Sequence, residues 1–267
     1  MTASTLFTVR VAMTVALGGF LMGFDASVIS GVVGFIETEF NLTKIQLGWS
    51  VASLTLTATL AMMVAGPLSD RLGRRPVLKI AAALFAVSAV ASALAPSFVV
   101  LVVARMIGGL GVGAALIIAP MYIAEIAPAE VRGRMVSVNQ LNIVIGISAA
   151  FFSNYLILKL GQSDAPWALS LQFGEWRWRW MLGVETLPAL LYLLALLAVP
   201  ESPRWLAMRV REDEALRILH RFSGAERARV ELREMNDILA SEVGKRSCSI
   251  RQLFQPAMKL VLTIGIS

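Results

Sequence analysis

Three ionisable residues stand inside stretches that are otherwise almost wholly apolar: Asp25, Arg105 and Glu185. A charge in the hydrocarbon of a bilayer is costly unless it is paired or faces water, so each is a candidate functional residue by default. An arginine beside a carboxylate favours its ionised form, and burial favours the neutral one. A carboxylate balanced between those influences changes its protonation when its surroundings change, which is what a proton-coupled transporter requires. The bland alternative is a permanent ion pair that fixes helix register.

For these residues to meet, the runs that carry them must be helices crossing a membrane. A hydrocarbon layer of ~30 Å takes about 20 apolar residues. Six stretches qualify, at roughly 9–33, 47–68, 77–95, 98–124, 135–158 and 180–199. A seventh opens at Ala257 and runs to Ser267, so the sequence is expected to stop inside a membrane element. Asp25 falls eight residues before the outer end of span one, Arg105 seven after the outer start of span four, and Glu185 five after that of span six. At ~1.5 Å per residue all three lie roughly 8 to 12 Å below the outer surface, in one layer if their helices face a common interior.

Composition agrees. Of 267 residues 57% are hydrophobic and 16% charged, with a mean hydropathy of +0.72, which excludes an ordinary soluble domain and a disordered chain. The net charge of +6 would suggest nucleic acid in a soluble protein. Here, with the N-terminus placed in the cytoplasm, 19 of the 24 Lys and Arg fall in inside segments and four outside, with Arg105 in a span. That asymmetry fixes orientation and removes the nucleic-acid reading. One cysteine, Cys248, and one histidine, His220, support neither a disulfide framework nor a conventional structural zinc site, and both read as incidental. The first apolar run is too long for a cleavable signal core. Residues 201–254 carry 11 basic and 9 acidic residues with helical apolar spacing. The expected organisation is a six-span bundle over 1–200, a cytoplasmic helical linker over 201–255 and the start of span seven over 256–267.

The remaining motifs concern packing and helix ends. GGLGVG (Gly108 to Gly113) contains a weak dinucleotide pattern but lies inside an uninterrupted apolar run, so close helix packing is expected. Pro120 and Pro188 should kink their spans. WRWRW (Trp176 to Trp180) falls at the outer interface, where tryptophans anchor, and receives no chemistry. GPLSDRLGRRP (Gly66 to Pro76) reads as a very short inside loop. With PMYIAEIAPAEVRGR (Pro120 to Arg134) and PESPRW (Pro200 to Trp205) it places acid beside base at several cytoplasmic helix ends, which suits a latch that forms in one state and breaks in another.

GFDASVISG (Gly23 to Gly31), GPLSDRLGRRP, Arg105 followed by GGLGVG and PMYIAE, RGRMVSVNQL (Arg132 to Leu141), WRWMLGVETLPAL (Trp178 to Leu190) and PESPRWL (Pro200 to Leu206) occur in that order. The set resembles the sugar porter family of the major facilitator superfamily from about Gly23 to Leu206. The resemblance implies an all-α membrane fold of twelve spans in two bundles, with substrate between them near the midplane. This chain would supply the N-terminal six-helix bundle, the cytoplasmic helices and the start of a seventh span. A sugar or polyol, the lipid bilayer and a C-terminal bundle are the implied partners, with no nucleic acid, no metal, no cofactor beyond the coupling proton and no enzymatic activity.

By the same resemblance Gln140 matches the position that binds a sugar hydroxyl; without it, Gln140 is a packing amide. Asp25 matches the acidic position of proton-coupled members, Arg105 its partner, and Glu185 an acidic position in span six. The implied function is sugar and proton symport, with protonation of Asp25 loosening Arg105. The implied cytoplasmic latch comprises Asp70, Arg71, Arg74, Arg75, Glu125, Arg132, Glu201 and Arg204. Alternatives are a sugar sensor that does not transport, a facilitative porter, and a multidrug or organic-ion porter of the same superfamily. The setting is a plasma or bacterial inner membrane.

Overall fold

The computed structural model describes residues 3–128 and 131–243. Its elements are α1 (Ala3–Glu39), α2 (Lys44–Leu72), α3 (Arg74–Ala93), α4 (Phe98–Ile126), α5 (Arg132–Leu160), a short α6 (Pro166–Ser170), α7 (Arg177–Gly183), α8 (Thr186–Leu197), α9 (Pro203–Met208), α10 (Glu212–Ser223) and α11 (Ala225–Val243). No strand occurs among the described residues. Among the described residues six segments are long and apolar enough to span a bilayer, α7 and α8 counting as one. Cys248, the end of the expected linker and the seventh apolar run lie outside the described residues.

The helices overrun the apolar windows because their ends are polar but well capped. Thr43 Oγ1 accepts from the Gln46 N–H at 3.3 Å while Gln46 Oε1 accepts from the Thr43 N–H at 2.9 Å, a reciprocal box that starts α2. Ser97 caps α4 by accepting from the Val100 N–H. The expected loop Gly66–Pro76 is corrected: α2 continues to Leu72 and α3 starts at Arg74, leaving Gly73 as the whole connection. Pro188 interrupts the sixth span: it has no N–H for the Val184 carbonyl, so the helical hydrogen bonding breaks at Val184 and Glu185 between α7 and α8, although both residues keep helical dihedrals. α4 runs unbroken through Pro120.

α1 packs mainly on α5 and α4, α2 on α4, and α3 on α4 and α8. Small residues permit this. A Cβ on Gly23 would strike the Ile143 carbonyl of α5, and one on Gly146 the Phe20 carbonyl of α1. In GGLGVG, Gly109 and Gly113 back onto the Leu54 and Ala58 carbonyls of α2, and Gly111 onto Ala81 of α3. The motif is packing surface, as expected for helices that lack a hydrophobic drive to associate in lipid.

The core is divided. One apolar cluster holds Val15, Leu78, Phe85, Ile118, Tyr122 and Leu196, towards the end with the arginine-rich connections. The other holds Val28, Val32, Ile36, Leu101, Trp178 and Met181, towards the opposite end. Trp178 corrects the expectation of an interfacial anchor: it is 2% exposed, its Nε1–H donates to Glu39, and Arg179 donates to the Ala95 carbonyl at 2.7 Å. Trp176 alone of the three tryptophans remains half exposed.

Candidate functional site

Between the two apolar clusters lies the layer of ionisable residues. Arg105 reaches from α4 to Asp25 on α1, Nη1 to Oδ1, at 3.3 Å, and both side chains are below 5% exposed. Arg105 also donates through Nε to the Ser50 carbonyl of α2 at 3.2 Å and through Nη2 to the Asp25 carbonyl at 3.5 Å. One guanidinium therefore ties three helices, using the planar fork that suits arginine to buried ion pairs. Asp25 Oδ2 has no hydrogen-bond partner. Glu185, at the break between α7 and α8, is 3% exposed, lies within electrostatic reach of both Asp25 and Arg105, and has an unpartnered Oε1. The three residues expected to share a depth do share one layer. Two carboxylates face one arginine, and each retains an oxygen able to take a proton.

Gln140 is exposed on α5, whereas its neighbour Asn139 is buried against Gly19 of α1. Gly19 precedes Asp25 by six residues, so Gln140 sits ~9 Å along the helix axis from the charged layer, towards the arginine-rich end. Leu141, Val144, Phe151 and Phe152 are exposed on the same helix. Gln140 is not brought into contact with the Asp25 group.

At the arginine-rich end Arg74, 5% exposed, forms ion pairs with Glu125 of α4 at 3.0 Å and Asp70 of α2 at 2.9 Å. Glu201 Oε1 accepts the backbone N–H groups of Arg74 (3.0 Å), Arg75 (3.1 Å) and Ser202 (2.8 Å). Burial pushes Glu201 above the usual carboxylate range, outweighing those N–H groups and the Arg74 charge. Arg75 donates to the Leu197 carbonyl at 2.7 Å, and so uses its side chain to close α8 rather than to pair with an acid. Arg71 is exposed, its carbonyl accepting from Arg209 at 2.6 Å. Arg132 is exposed and Arg204 half buried. Of the eight expected latch residues, Asp70, Arg74, Glu125 and Glu201 with the Arg75 backbone form one cluster.

Sequence reasoning missed the neutral partners. Trp205 Nε1–H donates to the Asp70 carbonyl at 3.0 Å, and the Tyr122 hydroxyl to the Pro200 carbonyl at 2.9 Å. Ser50 gives only a backbone oxygen to Arg105, which no residue-type signal could have marked. An aromatic inside PESPRWL was a usable signal for Trp205.

Residues 11–267 match the family model described as Sugar (and other) transporter. The chain is 39% identical to the arabinose-proton symporter of Bacillus subtilis (strain 168) over 260 residues, 97% of this chain and 54% of that protein. It is 39% identical to the D-xylose-proton symporter of Escherichia coli (strain K12), covering 83% of this chain and 49% of that one. Among solved structures, the proton:xylose symporter XylE bound to 6-bromo-6-deoxy-D-glucose superposes with a TM-score of 0.79 at 38% identity, over 90% of this chain and 54% of that chain. An inward-open form of the E. coli xylose transporter XylE gives 0.76 at 37% identity, covering 87% and 56%. The chain spans about half the length of the curated relatives it matches.

Proposed function

This chain belongs to the sugar transporter family of the major facilitator superfamily, and from that membership we propose that it acts in proton-coupled symport of a sugar or polyol by alternating access. Its six spans form the N-terminal bundle, and a C-terminal bundle completes the substrate site across the face that carries Gln140. The positive-inside asymmetry supports an N-terminus and an Arg74 cluster on the cytoplasmic side of a cell membrane.

The observation that carries this reading is the buried Asp25–Arg105 pair with Glu185 beside it, each carboxylate holding one unpartnered oxygen. Protonation of Asp25 removes the charge that holds Arg105 and loosens the guanidinium from α1, which lets the bundle close around bound sugar. Release of the proton to the other face restores the pair. Glu185 is the second proton acceptor of the layer, and Gln140 donates to or accepts from a sugar hydroxyl. The relatives' substrates include arabinose and D-xylose, so a neutral polyhydroxylated ligand fits an amide rather than a charged site.

The test is Asp25→Asn in the full-length protein reconstituted in proteoliposomes. Uphill, proton-driven accumulation of labelled sugar should be lost while sugar counterflow persists. Normal uphill uptake by the variant would refute the assignment.

A further inference from the structure

Asp25 Oδ1 is engaged by Arg105, but Oδ2 is buried and unpartnered. A buried carboxylate oxygen without a donor is costly, so the groups nearest to it matter. The approach to Oδ2 runs past Gly108 on α4. The position that a Cβ on Gly108 would take is 3.0 Å from Asp25 Oδ2 and 2.5 Å from Ser88 Oγ of α3. The two oxygens therefore converge on the space that Gly108 leaves open, and any larger residue there would part them. Ser88 is 5% exposed and its hydroxyl is a neutral donor facing that space, although Oδ2 stays unpartnered while Arg105 holds Oδ1.

Other elements around Asp25 present different groups. α4 supplies Arg105, the break before α8 supplies Glu185, and α2 supplies the Ser50 carbonyl to the guanidinium. α5 contributes the buried amides Asn139, Asn142 and Asn154, the last donating to the Val28 carbonyl at 3.0 Å. The Tyr192 hydroxyl of α8 is directed to the Val15 carbonyl. α3 also packs on α7 and α8, so Ser88 stands on the helix that adjoins both the Gly108 face of α4 and the segment bearing Glu185.

We infer that Ser88 is a positioning residue for the coupling carboxylate: once Arg105 lets go, Asp25 turns across the opening kept by Gly108 and its Oδ2 meets the Ser88 hydroxyl. Ser88 thereby holds the carboxylate in place when Arg105 lets go. This rests on the reading that Asp25 carries the coupled proton.

The test is an infrared pH titration of the full-length protein in lipid, which needs no identified sugar. The protonated-carboxyl band of Asp25 is assigned by its disappearance in Asp25→Asn. Ser88→Ala should move the midpoint of that band by about one pH unit to lower pH, because the hydroxyl meets the carboxyl only in the protonated state that has released Arg105 and so favours that state. Ser88→Thr, which keeps the hydroxyl, should retain the wild-type midpoint, and Ser88→Cys, a weaker donor of similar size, should fall between. An unchanged midpoint in Ser88→Ala and Ser88→Cys, or an equal displacement in Ser88→Thr, overturns the role of Ser88 and leaves the coupling assignment standing. If Asp25→Asn removes no titrating band, the coupling assignment fails, and the role of Ser88 falls with it.

Discussion

Gly73→Ala tests whether the single-residue connection between α2 and α3 is held by backbone shape, by Glu201, or by both. Gly73 adopts φ 103° and ψ 160°, a region in which L-residues are strained by about 1–3 kcal/mol. A Cβ there is directed at Glu201 Oε2 and lies 3.0 Å from the Glu201 Cδ. The carboxylate cannot retreat freely, because its other oxygen holds the N–H groups of Arg74, Arg75 and Ser202. Losing one such bond to a charged acceptor costs ~1.5–3 kcal/mol, so the substitution should destabilise by about 2.5–6 kcal/mol in all. The assay is equilibrium unfolding of the full-length protein in mixed detergent micelles, followed by tryptophan fluorescence, with Trp205 beside the cluster. In a Glu201→Ala background the collision is absent and the cost of Gly73→Ala should fall to the strain alone, about 1–3 kcal/mol. An equal cost in both backgrounds would refute the contact between this backbone corner and Glu201.

Two further substitutions separate charge from shape. Because burial raises the folded pKa of Glu201 above its unfolded value of 4.5, the folded state holds that proton more tightly. Its contribution to stability is therefore greatest below the unfolded value and declines as pH rises to the folded one; Glu201→Gln should abolish that slope, and unfolding midpoints across acidic pH check it. Pro188→Ala restores an N–H for the Val184 carbonyl and heals the break at Glu185, so it should raise helix stability by up to ~3 kcal/mol while lowering proton-driven accumulation. Unfolding and uptake measured on the same preparation decide this, and unchanged accumulation would show that the position of Glu185 does not depend on the break.

Much of the fold was legible because lipid imposes length on a helix and charge asymmetry on its ends. The shared depth of Asp25, Arg105 and Glu185 followed from helix rise alone, and the glycines of GGLGVG followed from the continuity of the apolar run around them. Misreadings arose where polarity was taken for surface. Trp178 and Arg179 are polar-tipped residues near a helix end, yet each finds an internal acceptor, Glu39 or the Ala95 carbonyl, that a linear sequence does not display. The stretch Gly66 to Leu72 reads as loop because of Gly66, Pro67 and Asp70, but Arg74 draws Asp70 back into the last turn of α2. Backbone acceptors such as those of Ser50 and Pro200 carry no residue-type signal at all. The pairing of Ser88 with the Gly108 opening also requires the register of α3 on α4.

The pairing pattern also changes what the charged helix ends can do. Arg74, Glu125, Asp70 and Glu201 all belong to the six-span bundle or the segment just after it, and Arg105 joins α4 to α1 and α2. Arg105 and Glu125 are twenty residues apart on α4, ~30 Å along its axis, so one continuous helix is anchored at two depths by opposite signs of charge. Contacts of this kind lock neighbouring helices into one register, because removing either partner leaves a buried charge without compensation. They favour a bundle that moves as a body. A contact that forms and breaks between two bundles must then draw on side chains outside the cluster, and Arg71 and Arg132 are exposed at that same end. Arg74 holds the six-span body together, and in the proposed two-bundle arrangement the exposed arginines are the ones placed to form and break contacts.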